Sequence, residues 1–264
     1  MGFFASPTFS KSGFFNIKKA SSGSGITITY LVVGGGAGGG DSYSGSINSG
    51  PSAGGGGGVV TSTGSFNLNT SYSISVGATQ TKSTTGNSSV FATYTASGGI
   101  AGNLNGGASG APQSNSGGTG VDNGSAQYGG GGGGAGGNGT NAVSGVSAGL
   151  GGVGVISTLS GTSITYGQGG GGGNDQTLVL GKGGGSTTQN GGANTGGGGG
   201  GGTSAIDGNA DLGGTGGSGV VILQIPSTNT ATFTGTVTYN TPTTPGYKTY
   251  VITATTGTCS VKFS

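Results

Sequence analysis

Apolar residues along this chain come in short alternating bursts, separated by long stretches that hold almost none. The clearest burst is ITITYLVV at 26–33, where Ile26, Ile28, Tyr30 and Val32 alternate with threonine and leucine. Branched and aromatic residues at period two predict a β-strand. VVTSTGSFNL (59–68), SYSISVG (71–77) and SSVFATYTA (88–96) repeat the pattern. The NT and GN turns between them predict antiparallel pairing. A low-complexity tract at 97–218 holds two β-like islands, GVISTLSGTSITYG (154–167) and QTLVLGK (176–182). GVVILQIP (219–226) reads as a strongly apolar strand ended by Pro226. Residues 227–264 read as a meander of ATFTGTVTYN, GYKTYVITAT and TCSVKF. No stretch carries the 3.6-residue apolar repeat and good helix formers are scarce, so essentially no α-helix is expected.

Between the strands the chain is mostly glycine, 73 of 264 residues, with unbroken runs at Gly54–Gly58, Gly129–Gly134 and Gly196–Gly202. Each ordered glycine costs roughly 0.5–1 kcal/mol relative to alanine. Such a chain is either disordered or uses glycine where no side chain fits. Collagen is excluded, because glycine does not recur at every third place and there are only 6 prolines. A free linker has no use for Val153, Val155, Ile156, Leu159, Ile164, Tyr166, Leu178, Val179 and Leu180, which punctuate the tract. The reading that remains is a bundle of polyproline II-type glycine helices, turning in three residues and rising about 3.1 Å per residue. Their N–H and C=O groups must pair with neighbouring helices, since none pair internally. Non-glycine side chains would then sit at the outer faces. The expected fold is all-β: an antiparallel, β-sandwich-like scaffold carrying a polyglycine II-type bundle. Three parts are expected: a Phe-rich N-terminal arm at 1–25, a glycine-rich domain at 26–226, and a C-terminal meander at 227–264.

Charge and chemistry narrow the function. Histidine, glutamate, arginine and tryptophan are absent. Seven lysines and five aspartates leave a net charge of +2. That is no basic patch, so no nucleic-acid partner is expected. Nucleophile systems that need histidine cannot form, and no enzyme and no cofactor are expected. Cys259, the single cysteine, has no intrachain partner and reads as a small apolar strand residue. The N-terminus lacks the apolar stretch of a signal peptide, and no segment approaches 18 apolar residues, so no membrane insertion is expected. Phe3, Phe4, Phe9, Phe14 and Phe15 crowd the first fifteen residues, as a docking arm for a partner or as a segment tucked over the chain's own fold.

Several motifs are decoys. TYLVVGGGAGGG (29–40) mimics a dinucleotide fingerprint, but no helix pattern or spaced acidic residue follows. Asp207, Asn209 and Asp211 echo the first ligands of a calcium loop, yet Leu212 stands where glycine belongs and Ser218 where glutamate belongs. A surface turn without metal is the expectation there, with weak calcium binding as the alternative.

The order of elements ITITYLVVGGGAGGG, GGGGGVVTSTGSFNL, SYSISVGA, GNSSVFATYTASGG, SGTSITYGQGGGGG, NTGGGGGGG and GGSGVVILQIP resembles the glycine-rich domain of bacteriophage tail-fibre and other virion appendage proteins, over about residues 26–226. The resemblance implies a structural or receptor-binding role on the virion surface, outside the cell. It implies other virion proteins or copies of the same chain as partners, a homo-oligomer with a trimer favoured, and a host surface protein or glycan as target. GYKTYVITATTGTCSVKF (246–263) departs from the pattern, resembling a strand pair that usually precedes the YLVVGGG strand. It is expected beside strand 26–33 of its own chain or of a neighbour; the second case would build a self-assembling filament by strand exchange. Candidate receptor contacts are the polar and aromatic residues set within glycine: Asp41, Tyr43, Tyr128, Asp175, Gln176 and Lys182.

Overall fold

A computed structural model describes residues 25–41, 51–203 and 213–264. The Phe-rich arm, Tyr43 and the Asp207–Asp211 loop lie outside the described residues. Among the described residues there is no α-helix, and every strand pairing is antiparallel.

The main sheet starts from β1 (Gly25–Val33), where the predicted alternation is realised. β2 (Val59–Asn67) lies on one side of it and β10 (Val220–Pro226) on the other. β10 pairs in turn with β13 (Tyr247–Phe263), and β13 with β3 (Ser71–Ser75). β4 (Ser89–Phe91) and β5 (Tyr94–Ala96) complete the path. β11 (Ala231–Asn240) and the short β12 (Thr243–Thr244) also pair with β13. The far end of the sheet folds back over its start. Tyr30 of β1 meets Phe91 and Tyr94 of β4 and β5 at ring-centroid distances of 5.4 and 4.7 Å. The two halves thus face each other across one core, and the sheet is nearly closed.

Period two assigns the faces of the central strands. Ile28, Tyr30 and Val32 of β1, with Val221, Leu223 and Ile225 of β10, point into that core among Phe66, Phe91 and Phe263. Leu31 and Val33, with Val220 and Ile222, point the other way into a second cluster with Val59, Ala135 and Tyr166. Tyr166 belongs to a hairpin of β8 (Val155–Ser157) and β9 (Ile164–Tyr166). A further two-stranded piece joins β6 (Val121–Asp122) to β7 (Gln127–Tyr128).

Three expectations change. The stretch 88–96 is two strands and a turn, because Ala92 takes φ +54° and reverses the chain. Residues 176–182 form no strand. Leu178 has φ +52°, and the Asn174 side chain accepts from the N–H groups of Gln176 and Thr177, closing a turn. In the C-terminal meander the second and third stretches merge into the 17-residue β13, which joins its own chain's sheet. It lies next but one to β1, since β10 stands between them.

The glycine tract is a lattice. Gly34, Ala37 and Gly40 donate their N–H groups to the carbonyls of Gly58, Gly55 and Ser52. Gly35 and Gly38 donate to Asn87 and Thr84, and Gly36 and Gly39 to Gly217 and Gly214. The donors step by three and so do the acceptors, which is the repeat of a three-residue helix bonded to three different neighbours. The run 51–58 is surrounded on all sides. It donates to 97–100, to 130–133 and to 196–199, and it accepts from Gly34 and Ala37, from Gly107 and Gly110, and from Gly170. A Cβ placed on Gly55, Gly56, Gly57 or Gly58 would stand 1.9, 2.1, 2.0 or 1.9 Å from a neighbour's carbonyl oxygen. No side chain fits between helices so close, so these positions demand glycine. Asparagine side chains reinforce the lattice at its edge: Asn138 and Asn141, three apart, accept from the N–H groups of Ser116 and Thr119, also three apart, while Gly139 and Ala142 donate to the carbonyls of the same two residues.

Candidate functional site

At the lattice edge the three-residue repeat decides what is displayed. In the helix at 147–154, continuing into β8, residues three apart share one face. Leu150 and Val153 lie on it and are 72% and 63% exposed; Ile156, 69% exposed, follows in β8, where it alternates with the inward Val155. Val146 and Val179 are also largely exposed. These side chains are aliphatic, so the edge offers an apolar surface of the kind that marks binding.

A groove of about 1180 Å³ runs along this edge. Val146 and Leu150 form part of one wall, and Val179, Leu180 and Lys182 part of the other. The floor is the glycine helix at 168–172. Its hydrogen bonds fix its place. Gly172 donates to Gly149 and Gly169 to Gly152 on one wall, and Gly171 donates to Lys182 on the other. Behind the floor lie the runs at 51–54, 129–132 and 198–201, each bonded to it. Among the described residues that line the groove, Lys182 alone is charged.

The residues singled out from sequence fall in different places. Lys182 is exposed and lines the groove. Asp175 and Gln176 sit on the adjoining turn, where the Asp175 N–H donates to the Gln127 carbonyl. Tyr128 is a correction: it is fully buried, so it is no surface contact, and its hydroxyl donates to the Gln176 side-chain oxygen. It fills space in the lattice and anchors the turn. Asp41 lies apart from the groove. Its carboxylate pairs with Lys82 at 2.8 Å and accepts the Gly213 N–H at 2.7 Å, tying down one lattice end.

The outer-face position expected for non-glycine side chains of the tract holds for Val153, Ile156, Val179 and Leu180, which are exposed. What the sequence did not single out is this aliphatic edge as a contact surface, since the candidate contacts were polar and aromatic residues. Val155, Leu159, Ile164 and Tyr166 do pack inward, on the second core cluster.

Titratable groups play little part at this edge. Asp122 is held below the usual carboxylate range, first by the N–H of Gly124 and then by the Gln127 amide. Burial pushes the Tyr166 hydroxyl up. Among the described residues, no three of histidine, cysteine, aspartate and glutamate gather closely enough to hold a metal ion.

Neither the curated proteins nor the solved structures contain a match to this chain. A family model described as a glycine-rich domain matches residues 16–226. By that match, and by a lattice that only glycine can build, the chain belongs to the glycine-rich domain family.

Proposed function

We propose that this chain is a structural, non-enzymatic subunit of a virion appendage, a phage tail fibre or tail-tip adhesin, that presents its lattice edge to a host surface protein or glycan. The observation that carries the reading is the set of exposed aliphatic side chains at the lattice edge: Val146, Leu150 and Val179 in the groove, with Val153 and Ile156 outside it. A backbone lattice holds such side chains in fixed positions without loops that must be ordered on binding, which lowers the entropic cost of recognition. Low charge suits this role, since adhesion then depends on shape and apolar contact and varies little with salt. The order of strands and glycine runs, which resembles that of tail-fibre proteins, supports the virion as its setting. In that setting the chain works as a homo-oligomer, a trimer being the symmetry usual for fibres.

The alternative is a filament built by exchanging terminal strands. It would require β13 to leave the ladder it forms with β10 inside its own chain. The appendage reading requires no such rupture.

The test uses antibodies to the purified chain on virus-producing cultures, together with sedimentation of the chain with intact cells. Gold label at virion appendages, with cell binding that Leu150→Asp abolishes, supports the proposal. Label on particle-free filaments would transfer support to strand exchange. Unlabelled particles and no cell binding would refute both the setting and the role.

A further inference from the structure

Among the described residues the groove is one unfilled position in a six-neighbour lattice, and we infer that it takes a partner's extended, glycine-containing segment in the same three-residue helical conformation. The inference stands without the virion reading. It follows from the hydrogen bonds of the floor helix.

Around 168–173, each of five directions is filled by this chain. Gly170 donates to Gly54 and Gly173 to Pro51. Gly169 and Gly172 donate to Gly152 and Gly149, and Gly171 to Lys182. The carbonyls of Gly170 and Gly173 accept from Gly132 and Gly129, and those of Gln168 and Gly171 from Gly198 and Gly201. The wall at 149–152 is itself bonded to 129–132, and the wall at 181–184 to 198–201. The five neighbours therefore follow one another around the floor helix, and the gap falls between the two walls. That gap is the groove. Two carbonyls belong to the sixth direction, those of Gly169 and Gly172, and they accept no hydrogen bond among the described residues. They stand one helical turn apart, so the chain that would satisfy them must offer an N–H at every third residue.

Gly171 marks the same gap independently. A Cβ there would meet only Lys182 at 3.5 Å on one wall and Gly149 at 3.9 Å on the other, which is ordinary contact. Its neighbour Gly172 would instead place a Cβ 2.1 Å from the Gly129 carbonyl oxygen. The floor thus has one residue that looks into open space, at the level of the unfilled carbonyls.

The geometry sets the partner's chemistry. Where it lies against the floor it needs glycine, since lattice spacing leaves no room for a Cβ. Proline is excluded at the bonded positions, because it has no N–H to donate. Its outward residues meet Val146, Leu150, Val179 and Leu180, so aliphatic side chains suit them. Gln168 to Gly172 span about 15 Å at the helical rise, room for roughly five residues. The interaction is the lattice counterpart of strand addition at a sheet edge, with main-chain bonds giving affinity and walls giving selectivity.

The test measures fluorescence anisotropy of a labelled Gly-Gly-Leu repeat peptide of about nine residues with the full chain. The expected result is saturable binding, weakened at least tenfold when the peptide's glycines are N-methylated. Gly171→Leu, which fills the gap from the floor, is expected to weaken binding at least tenfold with an unchanged melting temperature. Equal binding of the N-methylated peptide would show a merely apolar groove and overturn the proposal. So would no binding of the parent peptide, or binding indifferent to Gly171→Leu in a folded variant. Self-association of the chain that Gly171→Leu abolishes, without peptide binding, would assign the groove to a second copy and overturn it too. The N-methyl comparison uses the wild-type chain, so it decides the matter even if the variant misfolds.

Discussion

Two alanines placed in the lattice should move stability in opposite directions. Gly132 lies inside: its N–H donates to Gly170 at 2.9 Å and its carbonyl accepts from Gly152 at 2.8 Å. A Cβ on it would stand 2.1 Å from the Gly54 carbonyl oxygen, where ordinary contact begins at 3.4 Å. Two backbones must separate by about 1.3 Å, and a 2.9 Å hydrogen bond does not survive such a shift. The 51–58 and 130–133 runs are joined by the Gly56 N–H to the Gly133 carbonyl and the Ala53 N–H to the Gly130 carbonyl, so separating them breaks both bonds, at about 1–3 kcal/mol each. The alanine also restricts the unfolded chain, which returns roughly 0.4–1 kcal/mol. The net expectation for Gly132→Ala is a loss of about 1–6 kcal/mol. Gly171→Ala meets no atom closer than 3.5 Å, so only the unfolded-state effect acts, a gain of up to about 1 kcal/mol. Urea unfolding followed by tyrosine fluorescence reads both, because several tyrosines are buried. Equal shifts for the two variants, or a Gly132→Ala protein as stable as the parent, would show that the helices are not in close contact. The account of why this chain needs so much glycine would then be wrong.

Three further outcomes are expected. Burial, reinforced by the Tyr94 hydroxyl, pushes Tyr30 up to about 12 from an ordinary 10.0. Its folded-state value is raised, so its contribution is complete below pH 10 and is lost as pH climbs from 10 through 12; Tyr30→Phe should show a shallower fall in stability over that window in parallel urea titrations. Cys259 is buried in β13, so a thiol reagent should leave it unmodified in the native chain and react at once in denaturant. Amide exchange should be slowest at Gly131, Gly132 and Gly133, whose N–H groups are all bonded within the lattice, approaching the global unfolding limit, and fast in the exposed turn around Gly145; uniform fast exchange across 129–134 would contradict the bonding pattern.

The strands were legible because side chains encode them. In β1, Ile26, Ile28, Tyr30 and Val32 sit on one face, and the alternation that places them there is visible by eye. The misreadings occur where the backbone takes a form its side chains do not announce. Ala92 and Leu178 both adopt positive φ, which apolar residues seldom do, and each turns a supposed strand into a reversal. Tyr128 looked exposed because it is flanked by glycine and polar residues. In a lattice without side chains, however, a lone tyrosine is the filler for any larger gap, and it is buried. The existence of the lattice could be argued from composition, but not which run neighbours which. Gly36 bonds to Gly217, and nothing distinguishes that glycine from dozens of others. The groove was half legible: the apolar residues that interrupt the tract, Val179 and Leu180 of its wall among them, are in the sequence, while the unfilled lattice position between the walls depends on long-range pairings that no local pattern carries.

Those pairings need a source, since identical glycines cannot select one another. The sheet supplies it. Val33, the last residue of β1, pairs with Val59 on one side and Val220 on the other, so three strands meet the lattice at one level. Their side chains fix the register, because a one-residue slip would turn Ile28, Tyr30 and Val32 out of the core. The first lattice bonds continue that register directly: Gly34 to Gly58, beside β2, and Gly36 to Gly217, beside β10. β5 feeds the run at 97–100 in the same way, and Ser97 accepts from Gly58. The strands therefore act as a comb that sets the first rows, and each later run finds its place by the donors and acceptors those rows leave open. The glycine-rich tract in turn covers Leu31, Val33, Val220 and Ile222 with Ala135 and the β8–β9 hairpin, on a face of the sheet that would otherwise be bare. Register flows from the sheet into the glycines, and burial is returned from the glycines to the sheet. A glycine run cut from its strand would keep its composition and lose the only information that tells it where to lie.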